Sequence, residues 1–135
     1  MKLSRKRISM FVALFAFVIC FIFAALYLKS VADYKKAVKG TTLSNIDICS
    51  IPDGVYVGEY DVNFIYVKVE VTVQNKTVTN IAILEHKNER GKPAEIVVDR
   101  IIETQTIDVD AITGATSSSI VIKKAVENAL KGKQQ

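Results

Sequence analysis

The pattern of hydrophobic and polar residues divides the chain into two parts, and the first is an almost wholly apolar run near the N-terminus. It covers the 21 residues Ile8–Leu28 and contains no charged residue. A helix rises about 1.5 Å per residue, so this run would measure about 30 Å, the thickness of the hydrocarbon core of a bilayer. We therefore predict a transmembrane helix over 8–28, preceded by a basic cytoplasmic tail, residues 1–7. Because a secretory signal core is only about 7 to 15 residues long, the run favours an uncleaved anchor over cleavage before Asp33.

The second part alternates apolar and polar residues with a period of two, which is typical of half-buried strands. Residues 65–73 place an apolar side chain at every second position. Residues 74–76 have the composition of a turn, and residues 77–85 return as a partner strand. A shorter strand is predicted at 55–59, so the region should form an antiparallel sheet.

Helical spacing replaces the strand pattern after residue 92. Pro93 suits a first helical turn, and apolar residues spaced by four predict a helix over 93–103. We expect a short strand over 104–110 and a last amphipathic helix over 117–131. The predicted fold is α+β: a small antiparallel sheet of three or four strands with two helices packed on its hydrophobic face, preceded by one transmembrane helix.

The region after the transmembrane helix divides into a connector and a domain. Residues 29–50 are a juxtamembrane connector, predicted to be helical at first and irregular after Gly40. Residues 51–135 are predicted to be one domain, because about 85 residues sustain one modest core and not two.

The charge distribution bears on topology and on partners. The chain has 18 basic and 14 acidic residues, a net charge of +4, and the excess equals the four basic residues of the tail. This dense cluster favours a cytoplasmic N-terminus and an extracytoplasmic domain, although four lysines also follow the apolar run. Phosphate-backbone binding needs a basic face, and the balanced remainder of the chain shows none, so we expect no nucleic-acid partner.

The cysteines and the single histidine suggest no metal site. Cys20 lies within the apolar run and Cys49 near the domain, so they should not pair with each other, and no two-cysteine metal motif is present. We expect Cys49 to be buried, since a lone cysteine usually behaves as a small hydrophobe. His86 has no second imidazole or thiol nearby in the sequence, and we expect it on the surface at a strand end.

The only run of small hydroxyl residues lies before the last predicted helix, within residues 110–119. Gly114 permits backbone angles closed to other residues, and Ala115 adds little bulk. Free amide groups and the positive end of the helix dipole would favour a phosphate there, whereas a plain Ser/Thr N-cap is the structural alternative. The run lacks the Gly-Lys-Ser/Thr of a nucleotide-hydrolysing loop and the GxGxxG of a dinucleotide site.

The segment Asp110-x-Ile112-Thr113-Gly114-Ala115-Thr116 resembles the flavinylation signature Asp-x-x-Ser/Thr-Gly-Ala-Thr of the FMN-binding domain family. That family includes the C subunit of the sodium-translocating NADH:quinone reductase and the G subunit of the Rnf complex. The resemblance extends over about residues 51–131. Thr113 stands where serine is common, and residues 88–91 stand where many members have Glu-Thr.

The resemblance implies a function and a set of site residues. In the family, a separate flavin transferase esterifies the last threonine of the signature to the FMN phosphate, which maps covalent FMN onto Thr116. Thr113, Gly114, Ala115 and Ser117 would surround the attachment, and the transferase would recognise Asp110. The implied role is a membrane-anchored extracytoplasmic electron carrier whose partners are the transferase, redox proteins and the lipid bilayer.

Further residues and functions stay open on sequence grounds. Tyr56, Phe64 and Tyr66 are candidates to stack on a flavin ring, although strand aromatics commonly serve as core. A membrane-tethered binding or structural subunit without covalent flavin is the main alternative function. A threonine-dependent hydrolase is weaker, because the sequence offers Thr116 no identifiable base.

Overall fold

The computed structural model describes residues 5–87 and 91–132, and the chain forms two compact units, Met1–Asp33 and Tyr34–Gln135. Of residues 88–91, which depart from the family pattern, 88–90 lie outside the described residues. The α+β prediction is confirmed, with three antiparallel strands, two packed helices and a long N-terminal helix.

The N-terminal helix, α1, runs Arg5–Gly40, so it begins in the first unit and its last turns belong to the second. Arg7–Gly40 is long and apolar enough to cross a membrane, by length and composition. In the first unit its apolar side chains are exposed in the protein alone, whereas a helix that is apolar all round is typically buried in a protein core or in a membrane. The helix passes the predicted end at residue 28 because no glycine or proline interrupts it before Gly40. The predicted change to irregular structure after Gly40 is confirmed.

The sheet consists of β1 (Gly54–Asp61), β2 (Tyr66–Gln74) and β3 (Thr77–Lys87), in the order β1-β2-β3 with antiparallel neighbours. The predicted hairpin is confirmed, and the first and third strands extend beyond their predicted ends. The valines of β2 are fully buried on one face, as the period-two pattern requires.

The β2–β3 turn is held from the start of β1. Asn75 and Lys76 adopt left-handed backbone angles, with φ of 53° and 61°. The Asp53 carboxylate accepts hydrogen bonds from their amides, at 2.9 Å from Asn75 N and 3.1 Å from Lys76 N. These bonds hold the pKa of Asp53 below its ordinary value, the bond from Lys76 contributing most. The Asp53 carboxylate therefore links the start of β1 to the β2–β3 turn at this end of the sheet.

The helix predicted from Pro93 begins with a 3₁₀ turn, Lys92–Glu95, and continues as α2, Ile96–Thr104. It ends at Gln105, which adopts a left-handed conformation with φ of 53°. The Gln105 side chain then accepts a bond from Val78 N and donates one to Val78 O, each at 2.8 Å. The side-chain amide of Gln105 therefore occupies backbone groups of β3 that a neighbouring strand could have used.

The strand predicted over 104–110 is wrong, because Thr104 ends α2 and residues 105–110 are irregular. Its alternation is nevertheless real, since Ile107 and Val109 are buried and Asp108 and Asp110 are exposed. Val109 N donates back to Ile107 O at 2.9 Å, a three-residue turn that a strand ladder would not allow. The buried side chains therefore fix the segment without a neighbouring strand.

The last helix, α3, runs Thr116–Lys131 and packs on β1 and β2. Its apolar face is buried as predicted, with Ala125 and Leu130 inaccessible to solvent. The closest approach is at Gly58 of β1, where a Cβ would overlap the backbone of Ala125 and Ala129. The helix thus lies directly against the strand because Gly58 has no side chain.

Two single-residue expectations are wrong. Cys49 is exposed, because the 3₁₀ turn Ile48–Ser50 directs Ile48 into the core and leaves the cysteine outside. His86 lies near the end of β3 as predicted, but its side chain is only 4% exposed. Its Nδ1 lies 2.9 Å from the Glu95 carboxylate, so the turn before α2 covers the ring.

Candidate functional site

The segment before α3 forms a tight turn that delivers the hydroxyl-rich run to the helix. Ala115 N donates to Ile112 O at 2.9 Å and closes the turn. Gly114 has a φ of 81°, and a Cβ at this position would meet no atom within 4 Å. Glycine is therefore favoured by the backbone angle and not by lack of space.

The start of α3 differs from an ordinary Ser/Thr cap. The N-cap residue is Ala115, and it makes no side-chain capping bond. The plain N-cap alternative is therefore wrong, because the N-cap position carries alanine and the consecutive hydroxyl residues begin one position later, at Thr116. The sequence correctly placed the run of hydroxyl residues at the helix start, but these side chains do not cap the helix.

The hydroxyl side chains have separate environments. Thr113 and Thr116 are exposed and Ser117 is half-buried, whereas Ser118 and Ser119 are buried. The Ser119 Oγ accepts a bond from Ile112 N at 3.0 Å and donates to Ala115 O at 2.9 Å. Ser119 therefore holds the turn, a role that the sequence did not reveal.

The exposed end of α3 suits a phosphate. The first amide groups of any helix have no intrahelical acceptor, and α3 has no acidic residue in its first turn. The positive end of the helix dipole lies at the same place. The predicted acceptor Thr116 stands at this end, with Gly114 exposed and Ala115 buried beside it. These residues fit a phosphoryl group in charge and in hydrogen-bonding capacity.

The segment that leads into the turn is held from two sides. The side chain of Asp110 is exposed, and its backbone oxygen accepts a bond from Arg100 Nη1 at 3.3 Å. One residue earlier, Val109 O accepts a bond of 2.7 Å from the Nζ of Lys123. Lys123 is only 7% exposed. In the sequence, the only indication that Lys123 holds the segment before the turn was its position on the apolar face of a predicted helix.

A groove of about 740 Å³ begins one helical turn after Thr116. Its walls are the connector residues 41–46, the irregular segment 106–108, and Ile120 and Lys123 of α3. Sequence reasoning missed the groove, because its walls are distant along the chain.

The connector wall of the groove is fixed to the second half of α3 by a buried carboxylate. Glu127 is fully buried, and it accepts bonds from Lys124 Nζ at 3.0 Å, Lys131 Nζ at 2.5 Å and Ser44 N at 3.3 Å. The two lysines also bond to the connector, Lys124 to Thr42 O at 2.9 Å and Lys131 to Ser44 Oγ at 2.7 Å. We call this set of five residues the connector latch.

The electrostatics of the connector latch favour an ionised carboxylate. Burial alone would raise the pKa of Glu127, but the bonds from Lys131, Lys124 and the Ser44 amide outweigh it, so that the pKa lies below its ordinary value of 4.5. The Glu127 carboxylate is therefore ionised at neutral pH, as its bonds to the two lysines require.

The three aromatic candidates have other contacts in the structure. Tyr56 is buried and donates to Pro52 O at 2.5 Å. Phe64 packs edge-on against Tyr34, with ring centroids 5.5 Å apart. Tyr66 donates to Glu59 at 2.7 Å, a bond that raises its pKa to about 12. Each of these rings therefore has a structural role.

Among residues 5–87 and 91–132, His, Cys, Asp and Glu side chains form no group of three that could hold a metal ion.

Comparison with known proteins bears on this region. No curated protein and no solved structure matches the chain. The family model of the FMN-binding domain matches residues 65–131, which cover β2, β3, α2, the turn and α3. The family match supports FMN as the cofactor. The N-terminal helix of the same chain is long and apolar enough to span a membrane. Through residues 65–131, the chain belongs to the FMN-binding domain family.

Proposed function

We propose that this protein is a membrane-anchored, extracytoplasmic electron carrier that holds FMN covalently through a phosphoester at Thr116. The observation that supports this most directly is the position of Thr116. It is exposed, it is the first residue of α3, and it lies in the part of the chain that matches the FMN-binding domain.

The attachment requires an accessible hydroxyl and a place for the phosphate. In the proposed reaction the Thr116 oxygen forms a bond to the flavin phosphorus, and the bond from this phosphorus to the leaving group of an activated flavin nucleotide breaks. The leaving group departs from the site, and the hydroxyl proton is released with it. The free amides at the start of α3, including that of Ser117, stabilise the phosphate. Gly114 supplies the left-handed backbone angle of the turn, Ala115 is its buried end, and Thr113 is the second exposed hydroxyl beside it.

A flavin transferase is the partner that this reaction needs. We propose that it recognises Asp110, which is exposed and whose backbone is held by Arg100. The position of Asp110 relative to the turn is therefore fixed before the transferase arrives.

Electron relay fits the size of the domain. Bound flavin supplies reversible electron transfer, and the protein provides attachment, orientation and electrostatics. A domain of about 85 residues has one modest core and little room for a separate substrate site. We therefore favour transfer between redox partners over a complete enzyme reaction.

The proposed topology is a single pass. Residues 1–7 form the cytoplasmic tail, 8–28 the span, 29–50 the connector, and 51–135 the extracytoplasmic FMN-binding domain. A reporter fused after Gln135 should be active only outside the cytoplasm, and the protein should stay with membranes after a high-salt wash. A reporter that is active inside the cell, or a secreted product starting at Asp33, contradicts this topology.

The attachment is tested by intact mass and in-gel flavin fluorescence, after co-expression with a flavin transferase. The wild-type peptide containing Thr116 should be heavier by one FMN minus one water. Thr116→Val keeps the shape of the side chain and should abolish the added mass. Thr113→Val is the matched control at the other exposed threonine and should reduce modification less, and Asp110→Ala should impair it without removing the acceptor.

Two results would contradict the proposal. One is covalent flavin that persists in Thr116→Val. The other is a wild-type protein that stays colourless with an active transferase, which would favour a tethered binding or structural subunit.

A further inference from the structure

The last turns of α1 carry three lysines on one side of the helix. Lys35, Lys36 and Lys39 are all exposed, and at 3.6 residues per turn they fall within an arc of about 100°. Tyr34 and Val38, spaced by four residues, lie on another side and pack against the core. We call the three lysines the lysine face. It is directed away from the core of the domain.

The charges of the lysine face are not neutralised within the part of the chain that the structure describes. None of the ion pairs found there includes one of these lysines. Asp33, exposed three positions before Lys36, is the one acidic residue of α1. Lys35 and Lys39 are spaced by four residues, at which like charges on a helix repel each other. The face therefore keeps a net positive charge that a bound anion would stabilise.

Two ordinary roles of lysines do not account for this face. Lys39 lies in the last turn of α1, where a cation interacts favourably with the helix dipole, but Lys35 and Lys36 precede that turn. Lysines also set the orientation of membrane helices, by enrichment on the cytoplasmic side. The proposed topology puts the lysine face on the opposite side, so membrane insertion does not explain it.

The lysine face is close to the membrane along the chain. It lies seven to eleven residues after Leu28, the last residue of the apolar run. This spacing is about 10–17 Å of helix. The headgroup layer beyond the hydrocarbon core is about 5–8 Å thick, and the field of a charged surface extends about 8 Å further at physiological ionic strength. Flexible lysine stems therefore bring the three charges within reach of the headgroups.

We propose that the lysine face binds the phosphate groups of anionic lipid headgroups, on the side of the bilayer where the apolar run ends. This inference rests on the proposed membrane span and is independent of flavin attachment. Each ammonium group is attracted to the negative surface and donates hydrogen bonds to phosphate oxygens. Because Tyr34 and Val38 fix the same turns to the core, lipid contact limits how far the FMN-binding domain moves from the bilayer.

Lipid binding by the lysine face is tested by acylation of the full-length protein in nanodiscs, with the rate at each lysine read by mass spectrometry. Discs of phosphatidylcholine are compared with discs that also contain phosphatidylglycerol. A bound phosphate covers the ammonium group and stabilises its charged, unreactive form. The three lysines should therefore react about fivefold more slowly in the anionic discs, the size expected of one charge at such a surface. Lys76, exposed in the β2–β3 turn, is the internal control and should not change.

Salt and free phosphate separate lipid headgroups from other anions. High salt should abolish the slower reaction in anionic discs. Inorganic phosphate added to neutral discs should leave all rates unchanged, and an equal slowing there would assign the face to small anions and overturn the lipid assignment. Equal rates in the two kinds of disc, or an equal slowing at Lys76, would also overturn it.

Removal of the one acidic residue of α1 provides a test in the opposite direction. Asp33→Asn should enlarge the slowing at Lys36 about twofold, the size of a charge pair spaced by three residues on a helix. Glu103→Gln removes the same charge from an exposed position on α2 and should leave the rates at the lysine face unchanged. Equal effects of the two variants would contradict a local lipid site.

Discussion

The two ends of α3 differ in almost every physical respect. At the N-terminal end, Thr116 is exposed, the N-cap makes no side-chain bond, and Gly114 is surrounded by open space. At the other end, the helix backbone lies against Gly58 and Glu127 is fully buried among its partners. The difference shows how one helix serves two purposes, since tight packing at one end holds the exposed Thr116 in position at the other end without burying it.

The largest effect is expected where the helix meets the sheet. Gly58→Ala adds a methyl group that overlaps the backbone of Ala125 and Ala129, neither of which can move independently of α3. We expect a loss of about 3 kcal/mol in the free energy of unfolding, the upper part of the usual range for overpacking. Thermal unfolding followed by near-UV circular dichroism measures it.

Gly54→Ala is the matched control on the same strand. Its Cβ would lie 3.3 Å from the Tyr56 hydroxyl, a tight side-chain contact, whereas the overlaps at Gly58 are with backbone atoms. A Gly58→Ala protein as stable as Gly54→Ala would show that the packed end of α3 is not tight.

The connector latch should have the next largest effect. Glu127→Gln keeps the size of the side chain but replaces charge-assisted bonds to Lys124 and Lys131, at an expected cost of about 1–3 kcal/mol. The pKa of Glu127 is lowered by folding, so its contribution is present above the ordinary value of 4.5 and is lost as the pH falls through the native value.

The unfolding temperature of the wild type should therefore fall more steeply below pH 4.5 than that of Glu127→Gln. Parallel melting curves over this pH range would show that another group governs the acid sensitivity.

At the open end, Gly114→Ala should cost about 1–2 kcal/mol, because a residue with a side chain is strained at a φ of 81°. The added methyl group meets no neighbour, so backbone strain is the whole effect. Chemical unfolding of Gly114→Ala and wild type measures it. Asparagine tolerates left-handed angles better than alanine, so Gly114→Asn should recover part of the loss, and equal values for both variants would argue against strain.

The smallest effect on stability is expected at Thr116 itself. Because the N-cap is Ala115, Thr116→Val removes no capping bond, and an exposed substitution usually changes stability by no more than about 0.5 kcal/mol. The same unfolding curves serve as the measurement, on protein made without the transferase. A loss of about 1 kcal/mol or more would mean that the hydroxyl stabilises the helix start after all.

The sequence predicted the local elements well because their periodicities are strong. The valines of β2 and the apolar face of α3 gave the correct element types, and the signature placed Thr116 at the start of a helix. The prediction of a strand over 104–110 was wrong because the burial of Ile107 and Val109 has the same alternation as a strand. Periodicity reports which side chains are buried, and it does not report where the backbone amides find their acceptors.

The parts of the site that sequence reasoning missed depend on contacts between distant residues. Lys123 bonds to Val109, and Lys131 reaches Ser44 across 87 positions in the chain. A lysine within an amphipathic helix is ordinarily assigned to the surface. Only the tertiary structure shows that a hydrogen-bond acceptor lies within reach of its ammonium group. Cys49 was misjudged for a related reason, since the 3₁₀ turn decides which of its residues points inward.

The unequal exposure of the hydroxyl run has a consequence for the order of events during maturation. In an unfolded chain all the hydroxyls from Thr113 to Ser119 are equally accessible to a modifying enzyme, whereas folding withdraws Ser118 and Ser119 and leaves the threonines outside. An enzyme that meets the chain only after folding therefore chooses among fewer competitors. The choice among hydroxyls is in that case under kinetic control. It depends on whether the domain folds faster than the modifying enzyme binds the chain.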